Sequence, residues 1–134
     1  MNEIQNTNVM IEFWLIGDDF DVNTVTSLLQ IEPTETRQKT DFPMRQFAKV
    51  EWSINTNYES SNAISDQFGK LLNQLHNKHK IINKIKKNYN LECGFNVVVN
   101  ILNNEQPEMV LTREIINFAS KVDAEICFDL YYFD

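Results

Sequence analysis

Glycine is scarce, three residues in 134. Phosphate-cradling loops need several glycines within a few positions, so Gly-rich nucleotide-binding enzymes are excluded. Cysteine is rarer still, with Cys93 and Cys127 set 34 residues apart inside apolar segments. That spacing makes neither a disulfide framework nor a Cys-x-x-Cys metal or redox motif, and both are expected to be buried, reduced thiols. No apolar run approaches the roughly 18 residues of a membrane-spanning helix. Met1 to Asn8 is polar, lacks the basic-then-apolar pattern of a secretion signal and is read as a disordered start. A cytoplasmic protein is the expectation.

What is present argues for a folded chain. The 43% hydrophobic and 11% aromatic content is enough for a core without staples, and no linker or repeat divides the sequence. Residues 1–134 therefore read as a single domain. Met10 to Ile16 is a dense apolar run, expected to be a strand buried on both faces. Asp21 is placed to cap a short helix with Val22, Val25, Leu28 and Leu29 inward, stopped by Pro33. Glu35 to Lys39 suits an edge strand, followed by a loop at Asp41-Phe42-Pro43. Phe47 to Asn55 alternates, with Ala48, Val50, Trp52 and Ile54 on one face and Lys49, Glu51 and Ser53 on the other.

From Ser60 or Ser61, apolar residues Ile64, Phe68, Leu71, Leu75, Ile82, Ile85 and Tyr89 recur at helical spacing. Periodicity leaves open one helix to about residue 89 or a break near Asn77. Leu91 to Ile101 alternates, with Cys93, Phe95, Val97, Val99 and Ile101 inward. A short strand is expected at Met109 to Leu111, then a helix capped by Thr112 and burying Ile115, Ile116 and Ala119. In the last strand Ala124, Ile126, Phe128, Leu130 and Tyr132 are expected inward. The order β-α-β-β-α-β-β-α-β implies an α+β two-layer sandwich: a mostly antiparallel sheet of five to six strands with three to four helices on one face. The opposite face carries Lys49, Glu51, Ser53, Glu125 and Asp129 and is expected to be exposed.

Metal and catalytic motifs are weak. Asp19-x-Asp21-x-Asn23 imitates the start of a calcium loop, but Thr24 and Gln30 stand where such a loop needs Gly and Glu. His76-x-x-His79 lacks further ligands and sits beside Lys78 and Lys80, so no metal and no cofactor is expected. No Gly-x-Ser-x-Gly signature accompanies these histidines, and no catalytic residue is assigned.

Charge is more informative. The net −7 divides into a stretch from 67 to 91 holding six lysines and no acid, and a remainder of −13. His76, Lys80, Lys84 and Lys87 form a basic stripe on a helical wheel, read as a solvated face. It lacks arginine and stacking aromatics, so nucleic acid is not the expected partner. Asp18, Asp19, Asp21 and Glu35 cluster around the first helix, and such an acidic surface steers basic partners.

Phe13-Trp14-Leu15-Ile16-Gly17-Asp18-Asp19-Phe20-Asp21, then Thr26, Leu28-Leu29-Gln30-Ile31 and Pro33-Thr34, resemble the start of a bacterial family catalogued as domain of unknown function 4279. Trp52 falls on that pattern's strand tryptophan, and Ala124 to Tyr131 resembles its last strand. Gln30 departs from the pattern, standing where glycine is common, as does Thr40 near a position that is often glycine. The resemblance implies a single small α+β domain and transfers no catalytic residue. The reading is a non-enzymatic, protein-binding module with a basic partner, a toxin neutralised by an immunity protein being its most concrete form. A small-ligand domain or modest hydrolase with a pocket between sheet and helices, using Asp18, Asp19, Thr34 or His76, is the alternative. A homodimer through an edge strand such as Glu35 to Lys39 is a further expectation.

Overall fold

The computed structural model describes residues 4–41, 43 and 48–134 of the chain. Its central strand is β1 (Asn8–Gly17), in which Val9, Ile11, Phe13 and Leu15 are fully buried while Met10, Glu12, Trp14 and Ile16 keep partial exposure. The expected burial on both faces is corrected: one face is packed and the other is open. Among the described residues, four α-helices, α1 (Val22–Leu29), α2 (Ile64–Leu75), α3 (His79–Tyr89) and α4 (Arg113–Lys121), accompany six strands. Besides β1 these are β2 (Glu35–Arg37), β3 (Val50–Asn55), β4 (Glu59–Ser60), β5 (Glu92–Leu102) and β6 (Glu125–Phe133). The sheet runs β2-β3-β1-β5-β6, with β4 pairing the first residues of β1. All pairs are antiparallel except β5–β6, which is parallel and needs the crossover that α4 supplies. This is the α+β architecture expected.

Local signals explain the helices. The Asp21 carboxylate accepts from the Asn23 backbone N–H at 2.9 Å and starts α1. The Thr112 hydroxyl accepts from Ile115 N–H at 3.4 Å and starts α4. Helix α1 ends on Gln30 in the left-handed region, φ 58°. A glycine adopts that conformation without Cβ strain, so Gln30 bears a backbone cost there that glycine would not. Asparagine does the same work elsewhere: Asn57, Asn90, Asn103 and Asn104 all have positive φ. Four of the chain's seventeen asparagines thereby supply left-handed turn positions that no described glycine occupies.

The long helical stretch is broken. Helix α2 ends at Leu75 and α3 starts at His79, with Asn77, a turn-forming residue, in the gap. Ser60 lies in β4 instead of opening the helix. The Ser61 hydroxyl donates within the turn before α2, to the Ala63 carbonyl at 2.8 Å. No strand forms at Met109 to Leu111. Glu108 makes a lone bridge to Ala63, its carbonyl accepting from Ile64 N–H at 3.0 Å and so satisfying a free donor at the start of α2. Ala48 precedes β3, and Phe42 and Phe47 lie outside the described residues. Of the supposedly disordered start, residues 1–3 also lie outside them. Thr7, by contrast, is buried, its hydroxyl donating to the Glu105 carbonyl at 2.6 Å and accepting from Leu102 N–H at 3.0 Å, and Asn8 opens β1.

The core lies between the sheet and the helices. Phe95 of β5 is its hub, with ring centroids 5.1 Å from Phe13 on β1, 5.3 Å from Phe68 on α2 and 6.3 Å from Phe118 on α4. Tilted contacts of this kind add to the area that the rings bury. Leu28, Tyr89 and Ile116, expected inward, are exposed, because each lies at the margin of its helix's apolar stripe where nothing packs over it. Trp52, wholly buried on β3, donates its indole N–H to the Thr26 hydroxyl of α1 at 3.0 Å, while that hydroxyl donates to the Val22 carbonyl at 3.2 Å. This pair fastens the first helix to the sheet. Thr26→Val leaves the indole N–H unpaired and is expected to cost about 1–3 kcal/mol. The urea midpoint should fall with m unchanged; a midpoint equal to wild type would contradict this role.

Candidate functional site

The open face of the sheet is built by register. Antiparallel partners share a face, so Glu12 stands between Asn55 and Asn96, Trp14 between Ser53 and Gly94, and Ile16 between Glu51 and Glu92. Strand β2 adds Glu35 opposite Ser53 and Arg37 opposite Glu51. Strand β6 adds Cys127 beside Asn96, Asp129 beside Val98 and Tyr131 beside Asn100. Polar and aromatic groups thus alternate across a surface with no described helix over it, although Ser53, expected exposed, is wholly buried between its neighbouring strands.

Trp14 is the fixed point of this face. Its ring lies on Gly94, where a Cβ would come within 2.3 Å of the Trp14 Cζ2 atom, so glycine at 94 is the seat for the indole. The indole N–H donates to Asn96 Oδ1 at 3.2 Å, and Asn96 Nδ2 donates to Glu12 Oε1 at 3.1 Å. That relay orients a carboxylate in the middle of the sheet. Burial raises the Glu12 pKa above its ordinary 4.5, the negative charges of Glu51 and Glu35 push the same way, and the Asn96 hydrogen bond and Arg37 oppose them. Glu51 is raised too, chiefly by burial, with Arg37 opposing and Glu35 adding. Tyr58, from the turn after β3, is raised by partial burial and by the nearby Tyr131, Glu12 and Asp129. The arrangement holds three carboxylates around one guanidinium beside a partly buried indole, which suits a cationic group flanked by flat apolar surface.

The sequence-predicted residues fall in several places. Glu35 joins this face. Asp18, Asp19 and Asp21 lie at the corner between β1 and α1, with Asp18 in an exposed ion pair to Lys49 at 3.7 Å and Asp21 engaged as the α1 cap. His76 follows the last turn of α2, its Nδ1 at 3.1 Å from the Leu72 carbonyl. Lys80, Lys84 and Lys87 are exposed on α3, so the stripe spans two elements instead of one helix. Thr34 accepts from Asn55 N–H at 3.0 Å on another element again. Asp18, Asp19, Thr34 and His76 do not share a hydrogen-bond network among the described residues.

Other basic residues have structural employment. Lys86 Nζ donates to the Val122 carbonyl at 2.5 Å and Asn83 Nδ2 to the Lys121 carbonyl at 2.9 Å, so α3 caps the carboxyl end of α4. Lys70 pairs with Glu59, whose carboxyl is held below its ordinary range by that contact. A cleft of about 490 Å³ beside Lys86 also includes Asn83, Cys93, Asp123 and Glu125. Cys93 is buried there, its thiol raised by that burial, and donates to the Val122 carbonyl at 3.3 Å. Cys127 is exposed, against the expectation for both thiols. No group of three or more His, Cys, Asp or Glu among the described residues is placed to hold a metal.

Sequence reasoning assigned Trp14 to the core and passed over Glu12, Asn96, Tyr58 and Tyr131. Glu12 carried the missed signal: a carboxylate amid the apolar run Met10 to Ile16 is incompatible with burial on both faces unless paired.

A mostly antiparallel sheet covered by helices on one side, its other side bearing acids and aromatics, defines a small α+β domain with an accessible sheet face. The chain belongs to the family described as Domain of unknown function (DUF4279), whose model matches residues 6–133. Neither a curated protein nor a solved structure matches it. No helix among the described residues is long and apolar enough to cross a membrane.

Because the folded chain holds the Glu12 proton more tightly than the unfolded chain, its contribution to stability is present below pH 4.5 and lost as pH rises through the higher folded value. Glu12→Gln keeps an acceptor for Asn96 and removes the charge. It should exceed wild type in stability near neutral pH, with the gap closing toward pH 4.5 in urea melts across pH. A gap independent of pH would contradict the desolvated carboxylate.

Proposed function

We propose that this protein is a non-enzymatic protein-binding module and that its docking surface is the open face around Trp14, Glu12, Glu51 and Glu35. The observation that carries the reading is the pair of partly desolvated carboxylates, Glu12 and Glu51, beside an indole held flat on Gly94. A lysine or arginine of a partner placed between them relieves their mutual repulsion, and the Trp14 ring supplies apolar and cation–π contact. Asp18 and Asp19 at the neighbouring corner add long-range steering of a basic protein. The partner class is a basic protein in the cytoplasm, with a toxin held inactive by its bound immunity protein as the most concrete form. The alternative of a pocket between the layers is disfavoured by the Phe13, Phe68 and Phe95 rings, which fill the space under β1 and β5.

The test uses isotope-labelled protein titrated with a lysine-rich decapeptide at low salt. The Trp14 indole N–H and the Asn96 side-chain amide should shift together, and lysine acetylation of the peptide should abolish the effect. The double variant Glu12→Gln, Glu51→Gln should bind roughly tenfold more weakly, about 1.4 kcal/mol. Shifts confined to Asp18, Asp19 and Asp21, or to the lysines of α3, would overturn the assignment of the surface.

A further inference from the structure

The two edges of the sheet are unlike each other. The β2 edge is three residues long and reads Glu35-Thr36-Arg37. Short length and charge are how sheets keep an edge from pairing with another chain. The β6 edge is nine residues long, Glu125–Phe133, and has neither lysine nor proline. Its inward positions Phe128, Leu130 and Tyr132 retain 41%, 39% and 60% of their surface, and Tyr131 and Phe133 on the other face retain 53% and 40%. Their register neighbours on β5, Val97, Val99 and Ile101, are wholly buried, so exposure begins abruptly at the last strand. The expectation that Phe128, Leu130 and Tyr132 are core residues is thereby corrected within a single copy of the chain. Their pattern is that of a core strand, and what would cover them is missing.

The backbone indicates how they are covered. The Phe133 carbonyl accepts from Asn103 N–H at 2.9 Å, so residue 133 turns its polar groups toward β5. Alternation then turns 125, 127, 129 and 131 the same way and points the N–H and C=O of Phe128, Leu130 and Tyr132 at the free edge. A two-fold axis normal to the sheet keeps each face on its own side, and it pairs even positions with even positions. Centred on Asp129, such a pairing sets two carboxylates opposite each other, which is unfavourable. Centred on Leu130, it sets Leu130 against Leu130, Phe128 against Tyr132 and Asp129 against Tyr131. The outward N–H and C=O groups of Phe128, Leu130 and Tyr132 then find partners, and no like charges stand opposite within the paired stretch.

We propose that β6 is the seam of a homodimer, two copies of this chain pairing their β6 strands antiparallel about a two-fold axis at Leu130. The helical layers of both copies fall on one side, and the two open faces join into one continuous surface bearing two Trp14–Glu12 sites. This inference does not depend on what the open face binds. Strand pairing with three inward and two outward apolar side chains per copy covers on the order of 1,000 Å², the lower end for a specific interface. The dimer is therefore concentration-dependent, with a Kd on the order of micromolar. Each copy carries a net −7, so added salt tightens it.

Sedimentation equilibrium tests the proposal. The wild-type mass should rise from 15.7 kDa toward twice that value with concentration, and rise further with salt. Leu130→Pro removes an N–H that points away from β5, and Leu130→Lys places a charge at the seam. Each should keep the wild-type far-UV spectrum and sediment as a monomer at concentrations where wild type is dimeric. In a Cys127→Ser background, Leu130→Cys should form a disulfide-linked dimer with oxidised glutathione, whereas Asp129→Cys should not. A wild-type chain still monomeric at roughly 100 µM would overturn the proposal. So would a dimer indifferent to both Leu130 variants, or cross-linking through Asp129→Cys in place of Leu130→Cys.

Discussion

One constraint governs this molecule: its helices pack on one side of the sheet, and the central strand β1 records the consequence residue by residue. Val9, Ile11, Phe13 and Leu15 are sealed from water, and the residues between them are not. Phe95, next to Phe13 across β1–β5, gathers rings from β1, α2 and α4 into one cluster. Trp52 and Thr26 fasten α1 to the same side. Burial on this side is the main source of stability, since apolar area removed from water is the dominant favourable contribution to folding. The opposite side is free to hold partly desolvated carboxylates and a flat indole that no core would accept.

The same constraint separates what was legible in the sequence from what was not. Alternation in β3 and β5 and the caps at Asp21 and Thr112 are local properties, and they appear in the structure where the sequence places them. Alternation assigns a residue to a face, however, and does not say whether anything covers that face. Trp14 reads as buried because it lies in the dense apolar run Met10 to Ile16, and Phe128, Leu130 and Tyr132 carry an inward pattern on a strand at the edge of the sheet, with no described strand beyond it. Periodicity leaves the break between α2 and α3 undecided for a related reason, because the apolar stripe continues in phase through the gap at Asn77, where the structure places the break. Of the candidate site, Glu35 was legible from charge alone, whereas Glu12, Asn96 and Tyr58 needed the register that brings β1, β5 and the β3–β4 turn together.

Two compositional features take on physical meaning. Few glycines exclude phosphate loops, and the turns fall instead to asparagines in left-handed conformations at residues 57, 90, 103 and 104. Two of the three glycines serve close approach: Gly94 seats the Trp14 ring, and Gly17 lies where a Cβ would meet Leu91 Cδ2 at 2.4 Å. The basic stretch from 67 to 91 is likewise divided in use. Lys86 closes the end of α4 and Lys70 pairs with Glu59, while Lys80, Lys84 and Lys87 remain in solvent.

One-sided coverage is the claim on which the binding face and the open strand edge both stand, and the two tryptophans measure it directly. In single-tryptophan variants Trp52→Phe and Trp14→Phe, acrylamide quenching reports the exposure of Trp14 and Trp52 respectively. The account predicts ready quenching of Trp14 and strong protection of Trp52, the wholly buried one. Equal protection of both would mean that something covers the open face and would contradict the account.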